Sequence, residues 1–269
     1  LHSTSRRQRQ MCIRDSSPID IDKLIEGTNE ILSANRNSLQ LFDMLHSMRQ
    51  FDDLTYVHSV NVALIASILG QWLKFSEKDI RILTISGLLH DIGKIMIPNE
   101  ILTKPGKLTV AEYNIMKQHV NFGYEKVKNQ NIDIRIKEAC LLHHEKCDGT
   151  GYPFGLKSDQ IPAVAKIIAI ADVYDAMTSA RVYRGALCPF EVIDTMYKDA
   201  FTKFEPEYIL PFLKNVASSY INNDVRLSDG RIGKVVLINE NALSLPIVQC
   251  EDEFIDLSKT RGLTVSAIL

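Results

Sequence analysis

Imidazole and carboxylate side chains gather in the middle of this chain in an order suited to holding metal ions. Of the seven histidines, five (His58, His90, His119, His143 and His144) fall at or near the ends of expected helices. Two dipeptides stand out, His90-Asp91 within LLHDIGK and His143-His144 within ACLLHHEKCDG. Neighbouring residues on a helix point roughly 100° apart, so such a pair at a helix end grips a metal from one side while the flanking leucines enter the core. Asp172 interrupts the apolar run KIIAIADVYDAM, where a charge is costly unless it is paired or metal-bound. A donor set of imidazole and carboxylate without thiolate favours iron, manganese, cobalt or zinc over calcium or magnesium. These seven groups suffice for two metals sharing a bridging carboxylate. Two metals roughly 3.5 to 4 Å apart generate a hydroxide at neutral pH and clamp the attacking and leaving oxygens of a phosphodiester. A lone His58 or His119 would more often be a structural histidine; the set as a whole points to metal-assisted hydrolysis.

The elements that must position these groups read as helices. Apolar residues recur at helical spacing over 19–48, suggesting two short helices that form a collar. A longer helix carries His58, Val62, Ile65, Ala66 and Leu69. The next spans 76–90, opened by Ser76 with Asp79 three residues on as an approximate capping box. Further helices are expected over 109–128, 132–145, 163–177, 189–201 and 206–219. After about Asn222 the texture becomes short and β-branched, with strands expected at 225–227, 232–238, 247–250, 254–257 and 263–268. Asp229-Gly230 is a strong hairpin signal between the first two. The expected fold class is mainly α, a helical bundle with a small C-terminal β appendage over 222–269.

Composition narrows the classes further. The 269 residues are 45% hydrophobic, enough for a sizeable core, and 31 basic side chains nearly cancel 33 acidic ones. No global positive field is available for long nucleic acid, so a small anionic ligand in a local site fits better. Five cysteines without a repeated C-x-x-C argue against a disulfide framework and a thiolate zinc site, and suggest a reducing, cytoplasmic setting. The most apolar stretch, around Val164 to Val173, contains Lys166 and Asp172 and is too short to span a bilayer. Residues 1–17 (LHSTSRRQRQMCIRDSS) are polar and aperiodic, expected to be disordered, and look like translated cloning or adapter sequence. The natural N-terminus is therefore expected elsewhere, which leaves room for an upstream sensor or receiver domain.

Four ordered segments, HDIGKIMIPNEILTKPGKLT, MKQHVNFG, HHEKCDGTGYP and IADVYDAMTSARVYR, resemble the HD-GYP family of bacterial cyclic-di-GMP phosphodiesterases. The similarity covers roughly residues 51–212. It implies an HD-type helical bundle over 51–221 with the metals at its centre, and hydrolysis of cyclic-di-GMP to pGpG, GMP or both. It further implies one metal held by His58, His90, Asp91 and Asp172, with Asp91 bridging to a second held by His119, His143 and His144. Iron or manganese are the divalent metals foremost expected. Lys94 takes the family's place for a lysine that meets a phosphate oxygen, in preference to its plain reading as a cation at a helix C-terminus. Arg181 and Arg184 match the stretch that grips phosphates and guanines, although lysine is commoner at the second position; read alone they are solvated charges. Asp175, one turn after Asp172, is placed to touch substrate or to orient a ligand or the nucleophilic water. The glycines of the Asp148–Pro153 loop allow a sharp turn beside the metals, and the family's loop is also proposed as a surface for protein partners. Some members bind a third metal through a glutamate one turn before the first histidine. Here that place is Leu54, with Asp53 one residue off, so two metals are expected. His46 and Cys147 are given structural roles. Two other readings remain open: a non-catalytic nucleotide- or partner-binding signalling module, and an HD hydrolase of another nucleotide such as cyclic GMP-AMP, a dNTP or a guanosine alarmone.

Overall fold

The computed structural model describes residues 54–179 and 186–269. The expectations for the head, the 19–48 collar, His46, Asp53, Arg181 and Arg184 fall outside these residues. Helix α1 (Leu54–Trp72) is apolar on every side through its middle, and Val60 to Leu69 are all buried, so it runs through the centre of the bundle. Lys74 at φ 58° ends it, and Ser76 then caps α2 (Glu77–Leu89). The Ser76 hydroxyl accepts from the Asp79 amide at 3.2 Å and donates to the Asp79 carboxylate, so the expected box closes through the hydroxyl. The two helices cross closely because Gly87 has no side chain: a Cβ there would lie 2.4 Å from Ala63 Cα.

After α2 the chain turns through a 3₁₀ segment, Ile92–Met96, and a short helix α3 (Asn99–Leu102) that periodicity did not reveal. The single helix expected over 109–128 is two: α4 (Val110–Met116), opened by a Thr109–Glu112 capping box, and α5 (His119–Val127). Between them the Gln118 amide bonds Ile115 O at 3.0 Å, one residue tighter than an α-helix, and the His119 ring takes the Met116 carbonyl. Helix α6 (Ile134–Leu142) is shorter at both ends than expected, with Asp133 capping its start and His143 at its close. Helices α7 (Ala163–Thr178), α8 (Pro189–Asp199) and α9 (Pro206–Ser218) follow the expected positions closely. α7, like α1, is buried on nearly all sides and packs against it.

The C-terminal region is an antiparallel sheet of five strands, β1 (Asp224–Leu227), β2 (Ile232–Leu237), β3 (Ile247–Cys250), β4 (Glu253–Asp256) and β5 (Val265–Ile268), in the order β4-β3-β2-β1-β5. Gly230, at φ 93°, makes the β1–β2 turn that Asp229-Gly230 announced. Alternation puts Val225, Leu227, Val235 and Val248 inside, while Arg226 and Lys234 face water. The inner face joins the helical core in one continuous apolar cluster with Phe190, Ile193 and Val216. No helix among the described residues is long and apolar enough to cross a membrane.

Candidate metal centre

Five places along the chain bring the ligand-type residues together. His58 sits in the first half of α1; His90 and Asp91 follow the last turn of α2; His119 begins α5 beyond the α4–α5 break; His143 and His144 follow α6. Asp172 comes from the middle of α7. Gly93 is what allows the 3₁₀ segment to lie against α5, since a Cβ there would be 1.9 Å from His119 O. The result is two clusters with one member in common: His58, His90 and Asp91, and Asp91, His119, His143 and His144, each with its donor atoms within 4.8 Å of one another.

Asp91 divides its two oxygens between the clusters. Oδ2 lies 3.3 Å from His90 Nε2 and 3.6 Å from His58 Nε2, whereas Oδ1 lies 3.3 Å from His119 Nε2 and 3.9 Å from His143 Nε2. Asp172 repeats the pattern at the other side, with Oδ1 3.0 Å from His58 Nε2 and Oδ2 3.8 Å from His144 Nδ1. The imidazoles are aimed by the groups behind them. Nδ1 of His90, His119 and His143 meets the carbonyls of Gly87, Met116 and Ala139 at 2.7, 2.7 and 3.0 Å. A carbonyl only accepts, so each Nδ1 carries the proton and each Nε2 presents a lone pair to the centre.

Protonation follows from burial and charge. Burial pushes the His143 imidazole well below its ordinary range, with His144 and His90 beside it adding to the effect; it brings His144 down to about 4 and lowers His119 as well. These rings are neutral, the form that binds a metal. Burial would lower His58 too, but the carboxylates of Asp172 and Asp175 hold it up to about 9. Burial likewise works to raise the Asp91 and Asp172 carboxyls, yet Lys94 and His90 around Asp91, and His58 and His144 around Asp172, keep both well below the usual carboxylate range. The fit to metal is tested by what remains: His90 Nε2 and Asp91 Oδ1 are buried without a hydrogen-bond partner, and His58 Nε2 meets Asp172 Oδ1 at 3.0 Å without hydrogen-bond geometry. Buried polar atoms are normally satisfied, and three without a hydrogen bond inside one cluster suit divalent cations.

Lys94 Nζ lies 2.5 Å from Asp91 Oδ2 at the edge of the cluster. Asp175 stands behind His58, fully buried, with Oδ2 2.7 Å from His58 Nδ1 and Oδ1 accepting from Asn61 Nδ2 at 2.8 Å and from Ser179 Oγ at 3.1 Å. Its oxygens are thus engaged by the chain itself, which suits an orienting role. Asn61 and Glu145 drew no attention in the sequence. Asn61 is three residues, about one turn, beyond His58, a spacing that was available as a signal. Glu145 is buried and accepts from the amides of Phe154, Gly155 and Leu156 at 2.7, 3.2 and 2.9 Å, tying the glycine loop back beneath the two histidines. Gly151 passes so near that a Cβ would lie 2.5 Å from Glu145 Cα. The Cys147 thiol is pushed up by burial, away from the reactive thiolate. No disulfide joins the described cysteines.

The HD domain family profile matches residues 27–208. Among curated proteins the chain is 37% identical over 203 residues to a cyclic di-GMP phosphodiesterase of Pseudomonas aeruginosa, covering 75% of this chain and 49% of that protein. It is 37% identical over 184 residues to 3'3'-cGAMP-specific phosphodiesterase 1 of Vibrio cholerae, covering 67% of this chain and 40% of the relative. The chain therefore spans half or less of the length of these relatives. Among solved structures, Bd1817, an HDGYP protein from Bdellovibrio bacteriovorus, superposes with a TM-score of 0.57 at 21% identity, covering 71% of this chain and 60% of that one, a likeness of fold.

Proposed function

This chain belongs to the HD domain family, in its HD-GYP branch, and on that premise we propose that it is a metal-dependent phosphodiesterase that opens a cyclic dinucleotide, cyclic-di-GMP foremost, to pGpG, GMP or both. The observation that carries this reading is the division of Asp91, whose two oxygens face separate histidine clusters. In this reading residues 51–221 are the catalytic domain, 18–50 a helical collar and 222–269 a β subdomain, within the cytoplasm. His58, His90, Asp91 and Asp172 would hold one metal, and Asp91, His119, His143 and His144 the other, with iron or manganese suited to the donors. When bound, such a pair supplies Lewis acidity towards a phosphate ester and towards water.

The chain's own groups do the rest. Asp175, steadied by Asn61, accepts a hydrogen bond from His58 Nδ1 and so fixes which ring nitrogen faces the centre. Lys94 places an ammonium at the edge of the cluster, where charge grows on the phosphoryl oxygens as the ester opens. Arg181 and Arg184 grip phosphate and guanine, and Glu145 holds the loop that borders the site, which also offers a face to protein partners. The decisive experiment incubates anaerobically loaded protein with a panel of cyclic dinucleotides and separates the products by chromatography, with elemental analysis alongside. Conversion of cyclic-di-GMP to pGpG or GMP and two metals per chain are expected. Intact substrate after long incubation with Fe(II) or Mn(II) overturns the enzyme; cleavage of cyclic GMP-AMP alone reassigns its substrate.

A further inference from the structure

Solvent reaches the centre most at His144 and Lys94, and less at Asp172 and His58. The side chains of His144 and Lys94 are 27% and 23% exposed, whereas those of His90, Asp91, His119 and His143 are at 1% or less. The opening is therefore at His144, and what lies outward of that ring borders the path of any substrate. Tyr152, from the glycine loop, stacks on His144 with centroids 4.7 Å apart and planes 28° off parallel, and meets His119 edge-on at 6.5 Å. Outward again, Lys117 Nζ lies 6.0 Å from the Tyr152 ring centroid and 5.3 Å from that of Tyr113. Tyr113 is 49% exposed. Lys117 has no ion-pair partner among the described residues, whereas Lys94 and Lys104, on the same stretch of chain, are committed to Asp91 and Glu112. The break between α4 and α5 falls at Lys117 and Gln118, so the turn that delivers His119 to the metals delivers this ammonium to their rim.

We infer that Tyr113 and Lys117, backed by Tyr152, form a platform that stacks one purine base of the substrate and offers an ammonium to its phosphate or to its ring acceptors. An accessible tyrosine face beside an unpaired cation is the combination by which proteins hold a splayed-out base next to its backbone. Both groups sit outward of a proposed metal ligand, where a base must lie if its phosphate reaches the centre. The inference rests on the cyclic-dinucleotide reading above and adds the residues on this side that would hold the base.

The test is equilibrium binding of cyclic-di-GMP by calorimetry to the full chain in EDTA, where turnover plays no part. Tyr113→Ala is expected to weaken binding about tenfold, the scale of one base–aromatic stack, while Tyr113→Phe, which keeps the ring, binds like wild type. Lys117→Met should weaken binding and flatten its salt dependence, and Lys117→Arg should restore both. Wild-type affinity in Tyr113→Ala overturns the platform, as does equal weakening in Tyr113→Phe. Wild-type protein that binds nothing in EDTA overturns it as well, since ring and ammonium act without metals. Turnover by metal-loaded wild type separates the two ideas: hydrolysis with unaltered Tyr113→Ala binding sinks the platform alone, and platform-dependent binding without hydrolysis sinks the enzyme alone.

Discussion

The candidate metal centre and the C-terminal sheet treat buried polar groups in opposite ways. In the sheet, strands alternate, charged side chains stay at the surface, and no buried side-chain nitrogen or oxygen lacks a partner among the described residues. Around the centre, histidines and aspartates are packed out of water, and His58, His90 and Asp91 each keep an atom without a hydrogen bond. An unmade hydrogen bond to a buried group costs about 1–3 kcal/mol, so such a cluster works against stability unless something binds it. The sheet closes the core; the centre leaves binding capacity open inside it.

The strongest blow to that contrast is Asp91→Asn. It removes the one charge shared by both clusters, and hydrolysis should fall by at least about a thousandfold, roughly 4 kcal/mol of lost transition-state stabilisation, with both metals gone by elemental analysis. Retention of two metals would mean that Asp91 is not the common ligand. Next in size is a pH effect confined to the centre. His58 is held at about 9 in the folded, metal-free protein against 6.5 as a free group. Its contribution is therefore complete below pH 6.5 and disappears as pH rises through 9, worth at most roughly 3 kcal/mol. Thermal melting in chelator from pH 6 to 10 should show wild type losing its advantage over His58→Gln across that window, and a constant difference would refute it. Smaller again is Asp175→Asn, which leaves the cluster intact but loosens the hold on His58; about 10- to 100-fold weaker metal binding is expected in a competition titration. At the far end stands the surface pair Lys214–Glu240, 2.6 Å apart between α9 and the loop after β2. Lys214→Ala should leave melting temperature and turnover indistinguishable from wild type, because exposed pairs gain little from one another in water.

Much of this was legible from the residues. Helices α1, α2 and α7 to α9 announce themselves because their apolar spacing, caps and prolines agree with the packing they enter, and the β appendage because its strands alternate about a clear Asp-Gly turn. The candidate ligands were legible as a group because histidine and aspartate among leucines and isoleucines have few other reasons to be there, and the fold brings them together. The break at Lys117-Gln118 was not, since nothing in those side chains opposes a helix; the close approach of Gly93 to His119 O, a contact between distant parts of the chain, accompanies the turn. Asn61 and Glu145 were overlooked for a related reason. On a helix face or beside a loop such residues usually meet water, and only the folded neighbours reveal that one braces Asp175 and the other gathers three amides.

Asp91 reaches its two groups of histidines with a single planar side chain. Helices slide and loops lengthen as a protein diverges, but the breadth of a carboxylate is set by its own bonds. The two halves of the centre are thus held one carboxylate's breadth apart by the side chain that joins them.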